Sequence, residues 1–162
     1  MKQEDKDLLL KDLCARLPYK PFAQWHHKVL NKFRDVKIMK ISTYGKNIDD
    51  YHINVLCQPE PGVDYEASIV DIKPYLRPIS SMTEEEFTKL KEYSELKYDQ
   101  LDLASFQNGT YKCLDFYLSE VPSYVVILVF DWLNTHHFDY RGLIERGLAI
   151  EAPDDMYKIK DK

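Results

Sequence analysis

The chain has 162 residues, a net charge of −5, 44% hydrophobic residues and 30% charged residues, which excludes a wholly disordered chain. Five Gly and 8 Pro exclude collagen-like and low-complexity classes, and the longest apolar run, 124–130, falls short of the about 18 residues that a membrane span needs. A single domain over 1–162 is expected, soluble and cytoplasmic, with no membrane partner.

The first predicted element is a helix over 4–17. Leu9, Leu10, Leu13, Cys14 and Leu17 recur at three- and four-residue steps as one apolar stripe, acids precede it, and Pro18 stops it. Phe22, Trp25, His26, Val29, Leu30 and Phe33 then fall at helical spacing after Pro21, so 21–34 reads as a short helix, with a loop or edge strand as the alternative. Segments 36–44, 51–57 and 65–72 read as three strands of an antiparallel meander. The run Lys73-Pro-Tyr-Leu-Arg-Pro78 is expected to end the third.

Thr83-Glu-Glu-Glu86 is a capping box that opens a helix to about Tyr98, supported by Glu85 with Lys89 at i,i+4. Its apolar residues drift around the axis, which predicts a helix lying on the surface. Asn108-Gly109 between 103–106 and 110–118 predicts a hairpin. Segment 123–130 reads as a buried strand or as the front of a helix, since so short a run does not separate the two. A short helix is expected over 131–137. Asp139 is expected to cap a second helix over 140–149, and the charged tail from Pro153 is expected to fray.

Charge is divided unevenly. From Arg16 to Lys46 there are eight basic residues (Arg16, Lys20, Lys28, Lys32, Arg34, Lys37, Lys40 and Lys46) and one acid, Asp35. This segment carries +7, which leaves −12 for the rest of a chain that totals −5. Lys28, Lys32, Arg34, Lys37 and Lys40 are candidate partner-binding residues; Trp25, Phe22, Phe33 and Tyr44 lie among them but fit the apolar stripe and are expected to be core. An acidic protein partner or a nucleic acid backbone would answer that charge.

Chemistry-bearing motifs are lacking. There is no phosphate loop, no Gly-x-Gly-x-x-Gly, no Gly-x-Ser-x-Gly and no His-Glu-x-x-His. Cys14, Cys57 and Cys113 have neither disulfide nor zinc spacing, and each is expected to pack as a small hydrophobe in a reducing compartment. His26-His27, His52 and His136-His137 offer no ready chelate. Neither metal nor cofactor nor catalytic residue is assigned.

Three stretches carry a resemblance. Leu8-Leu-Leu-Lys-Asp-Leu-Cys-Ala-Arg-Leu-Pro-Tyr19 is the first, and 72–86, from Ile72-Lys-Pro-Tyr-Leu-Arg to Thr83-Glu-Glu-Glu86, is the second. The third, 131–153, contains Asp131-Trp-Leu-Asn-Thr-His-His-Phe-Asp-Tyr-Arg-Gly142. Together they resemble a family of small uncharacterised bacterial proteins of gut anaerobes, often found near prophages or other mobile elements. The resemblance implies a cytosolic location and a mobile-element setting, and it implies no activity. In the third stretch, Asp139, Tyr140 and Arg141 are further candidate partner-binding residues. Arg141 is suited to a bidentate carboxylate or phosphate, or to the protein's own carbonyls, and Gly142 and Gly147 would admit a close backbone.

The expected fold is α+β: an antiparallel sheet of about five strands with an N-terminal helix, a middle surface helix and a C-terminal two-helix corner. The expected role is a small non-enzymatic protein-binding or regulatory module. A nucleic-acid-associated accessory protein is the first alternative and a small enzyme without a recognisable motif the second.

Overall fold

The computed structural model describes residues 1–44, 52–60, 62–95, 103–108 and 122–157. The fold is mixed α+β, with seven strands and four helices among the described residues. The chain divides into two compact units: Met1–Tyr75 with Glu145–Ile150, and Leu76–Ile144 with Glu151–Lys162.

The first unit opens with α1 (Gln3–Arg16), whose acidic first turn suits the positive end of the helix dipole. Leu9 and Leu13 are fully buried, as the stripe predicts, but Cys14 is exposed rather than packed. Pro18 starts a single 3-10 turn, Leu17–Tyr19, and left-handed Lys20 (φ 51°) releases the chain into β1 (Phe22–His27). β2 (Lys32–Tyr44) follows. The helix predicted over 21–34 is therefore a β-hairpin. Ala23 and Trp25 are buried while their neighbours are not, a period of two. Strand pairing on both sides of β1, to β2 and to β5, outweighs an apolar spacing that happened to fit a helix.

β3 (His52–Glu60) and β4 (Val63–Ser68) extend the hairpin into the antiparallel meander read from the sequence. A 3-10 turn, Ile69–Asp71, then feeds β5 (Ile72–Pro78), which returns to pair antiparallel with β1 through Ala23 and Pro74. The third predicted strand, 65–72, therefore ends at Ser68, and 73–78, expected to end it, lies in a separate strand; the prolines misled because each lacks only one of the two ladder groups. In this unit the order is β4-β3-β2-β1-β5. Trp25 of β1 and Tyr65 of β4 lie 5.5 Å apart, ring to ring. Strands three places apart in a sheet are separated by about 14 Å, so these two aromatic side chains reach toward each other across the face of the sheet.

The second unit begins within β5. The capping box forms as predicted: the Glu86 N–H donates to Thr83 Oγ1 (3.2 Å) and the Thr83 N–H to the Glu86 carboxylate (3.0 Å). The helix it opens, α2 (Glu84–Ser94), ends at left-handed Glu95, earlier than expected. Nor is it only superficial, because Phe87 and Leu90 enter the core. Segment 103–106, read as a strand, belongs to α3 (Leu103–Asn108), which sets Phe106 against Phe87 at 5.4 Å. The second arm of the predicted hairpin lies outside the described residues.

The strand-or-helix ambiguity at 123–130 resolves as helix: α4 (Ser123–Thr135) is one element in place of a strand and a short helix. Val125, Val129, Trp132 and Leu133 recur at helical spacing and meet Phe87, Leu90 and Phe138 in one cluster. Two-residue strands follow, β6 (Phe138–Asp139), parallel to β5, and β7 (Ile150–Glu151). The helix predicted over 140–149 does not form. The segment is a series of turns in which Gly142 (φ 70°) and Gly147 (φ 68°) hold left-handed backbone that breaks helical continuity. The expected two-helix corner is one helix followed by these turns. Part of the tail is held, since the Met156 N–H donates to Pro153 O and Tyr157 stacks on His137 at 3.9 Å.

Candidate functional site

β1 and β2 form an arm that outruns β3. The β2–β3 ladder begins at Lys37 opposite Gln58, so 32–36 of β2 pair with β1 alone among the described residues. Pro59 of β3, without an N–H, stands where that ladder stops. At the tip, Asn31 adopts φ 45°, a conformation that asparagine tolerates, and its side-chain oxygen lies 3.1 Å from His26 Nε2. Lys28 reaches Asp71 at 2.8 Å and ties the tip to the 3-10 turn before β5.

What the arm displays is unusual for a surface. Val29 is 90% exposed, Phe33 65% and Leu30 50%, with Lys28, Lys32 and Arg34 between them. The register separates two faces. Arg34 lies opposite Trp25 and Lys32 opposite His27 on one; Phe33 lies opposite His26 on the other, the two rings stacked at 4.8 Å. Trp25 and His27 are also in ring contact, at 4.8 Å, so the arm is braced by aromatics on each side. The aromatics expected to form a helical core stripe thus divide, with Trp25 buried and Phe33 presented.

The basic residues divide as well. Arg16 is fully buried and donates twice to Asp12 (2.8 and 3.1 Å), so it belongs to the interior of α1. Lys37 lies 5.6 Å over the Phe22 ring, on the face that bears Phe33. Lys40 is exposed beyond a bulge that shifts the β2–β3 register. Lys46 lies outside the described residues. The acid of the segment, Asp35, accepts a hydrogen bond from Tyr75 (2.7 Å), whose hydroxyl also receives Gln24 (3.4 Å). Burial, then the Asp35 carboxylate, push the Tyr75 phenol up from its ordinary value.

The C-terminal candidates are placed together in the second unit, where their polar groups meet the protein itself. The Asp139 carboxylate accepts from the Leu143 and Ile144 N–H groups (2.9 and 2.8 Å). It caps a turn rather than a helix. The Tyr140 hydroxyl donates to Asn134 Oδ1 (3.0 Å) and accepts from Arg141 Nη2 (2.8 Å). Gly142 and Gly147 have open space where a Cβ would stand, so their role is backbone conformation, not the close approach expected of them.

Burial shifts two groups able to do chemistry. Burial pushes the Cys57 thiol up to about 11, against a thiolate at neutral pH. His136, stacked on Trp132 at 3.9 Å, is held below its ordinary value by burial. No group of three metal-ligating side chains occurs among the described residues, and no helix there is long and apolar enough to cross a membrane. Sequence reading missed Val29, Leu30, Asn31 and Asp71 as members of a site. The signal for the first three was an asparagine, tolerant of left-handed backbone, closing an apolar dipeptide between two lysines. No family model, curated protein or solved structure matches the chain.

Proposed function

We propose that the protein is a non-enzymatic binding module that docks an acidic protein partner on its β1–β2 arm. The observation that carries this reading is the tip itself: exposed Val29, Leu30 and Phe33 interleaved with Lys28, Lys32 and Arg34. An apolar centre ringed by one sign of charge has the anatomy of an interface whose rim selects the partner. Asp139, Tyr140 and Arg141 act in this reading as an internal brace. The cytosolic, mobile-element setting is proposed from the sequence resemblance alone.

A photo-crosslinking residue at Val29, compared with one at Glu85 as an exposed control, tests the proposal in the native host. The expected product is an acidic protein joined at position 29 only, insensitive to nuclease and lost when Lys32→Glu and Arg34→Glu are combined. A product that disappears with nuclease would support the second reading, a nucleic-acid accessory protein. The stacked His26–Phe33 pair, with Lys32 and Arg34 on either side of Phe33 in sequence, favours that reading, since it could receive a base.

A further inference from the structure

The arm has two edges, and they differ. On the β1 side the turn Ile69–Asp71 closes the edge, and the Lys28–Asp71 ion pair fastens it. On the β2 side, 32–36 pair with no second strand among the described residues, and β3 runs only two residues past the last paired position, to Glu60. In an antiparallel ladder, alternate residues direct both N–H and C=O away from the paired strand, so part of this stretch offers its backbone outward. Such an edge is a template for another strand. Its guards are selective: 32–36 contains no proline, and its lysine and arginine repel a basic newcomer but attract an acidic one.

We infer that the arm recognises its partner by strand addition along 32–36 of β2, and that the added segment is extended, acidic at every second position and apolar between. The inference rests on the acidic-partner reading and names its recognition mode. The pleat supplies the pattern. Lys32 and Arg34 project from one face and Phe33 from the other, next to His26. An added strand keeps the same alternation, so its residues beside Lys32 and Arg34 are carboxylates and its residue beside Phe33 is apolar. Backbone hydrogen bonds hold the segment and the alternation selects it. Asp35 does not oppose this, because it lies on the Phe33 face and its carboxylate is engaged by Tyr75.

The test uses the whole chain and a fluorescein-labelled octapeptide, Ser-Glu-Val-Glu-Leu-Glu-Val-Ser. A second peptide of the same sequence is N-methylated at alternate residues on one edge, and a third has the same composition with its acids in one block. The expected result is binding of the first peptide by anisotropy, weakened about tenfold or more by either alteration and by Arg34→Glu. Amide exchange is expected to slow within 32–36 when the first peptide is added. Equal binding of all three peptides would overturn strand addition and leave an acidic partner held by charge alone. Binding of a labelled oligothymidine with none of the peptides would overturn both readings. Phe33→Ser, at an exposed position, checks the apolar contact in a protein whose unchanged melting curve certifies the fold.

Discussion

The β1–β2 arm and the turn that starts at Asp139 hold similar residues and use them in opposite ways. In the turn, the Asp139 carboxylate, the Tyr140 hydroxyl and the Arg141 guanidinium all meet groups of the protein itself. On the arm, Lys32, Arg34, Val29 and Phe33 face solvent. Charge type therefore does not separate displayed residues from internal ones; the destination of each polar group does. Arg16 makes the same point inside the basic segment, since it is buried against Asp12 while its neighbours in sequence reach the surface.

The largest effect should come from separating that buried pair. Replacing Arg16 alone with Met strands the Asp12 carboxylate in the core, and the expected loss is about 3–5 kcal/mol, enough to unfold a marginal protein. Arg16→Met with Asp12→Leu removes both charges and should recover most of it. Urea melts of the single and double variants decide the matter. A single variant as stable as the parent would mean that Arg16 belongs with the displayed charges after all.

Next in size is Asp139→Ala. Two backbone N–H groups lose their acceptor, at about 1–3 kcal/mol for a buried donor left without one. The expected total is about 2–3 kcal/mol, with no change in partner capture. Trp132 in the second unit and Trp25 in the first give each unit its own fluorescence reporter once the other is replaced by Phe. Loss of capture without loss of stability would move the interface from the arm to the turn.

These contrasts explain what could be read from the amino-acid order. The capping box at Thr83–Glu86, the Leu9–Leu13 part of the α1 stripe and the antiparallel order of β2, β3 and β4 depend on local chemistry or on regular periodicity, and they formed. Segment 21–34 did not, because six apolar residues matched a helical spacing while the deciding contact, β5 against β1, lay about fifty residues away. Asp139 was legible as a backbone acceptor but not as the cap of a turn, since the left-handed glycines that prevent a helix reveal their φ only in the fold. The basic segment was legible as a charge, but its division between core and surface was not. Charge alone does not distinguish Arg16, four residues after Asp12 on the buried side of a helix, from Arg34 on a strand.

Acidification should act more gently, and on the second unit. Burial raises Glu86, but hydrogen bonds from Arg77 (2.7 and 3.0 Å) and from the Thr83 N–H outweigh it, holding the carboxyl below its ordinary value. Burial likewise holds His136 low. For both groups the unfolded chain binds protons more readily, so stability falls as pH drops. The His136 contribution is complete above about 6.5 and is lost below it; the Glu86 contribution is complete above about 4.5 and is lost further down. Cys57 works in the other direction in the first unit, with stability lost as pH rises from 9.0 through about 11. Melts followed at Trp132 between pH 7 and 3 should show two successive losses. A flat profile would remove the Arg77–Glu86 clasp from the set of groups that hold this unit together.

The smallest effect, and the sharpest test of the arm, is Lys28→Ala. Its side chain is 63% exposed while that of Asp71 is largely covered, so the pair contributes no more than about 1 kcal/mol to global stability. The melting curve should barely move. What should change is the β1 edge, because the tether that closes it against the turn Ile69–Asp71 is gone. Amide exchange at 26–28 should quicken, whereas 52–60 of β3, which the arm outruns, should be unaffected. Partner capture should weaken modestly, since Lys28 is one of several basic residues at the rim and the β2 edge remains intact. Asp71→Ala should reproduce the exchange effect yet leave Lys28 free for the partner, so capture should hold or rise. If both variants weaken capture equally, the tether orients the arm for its partner; if only Lys28→Ala does, the lysine meets the partner directly and Asp71 serves the fold.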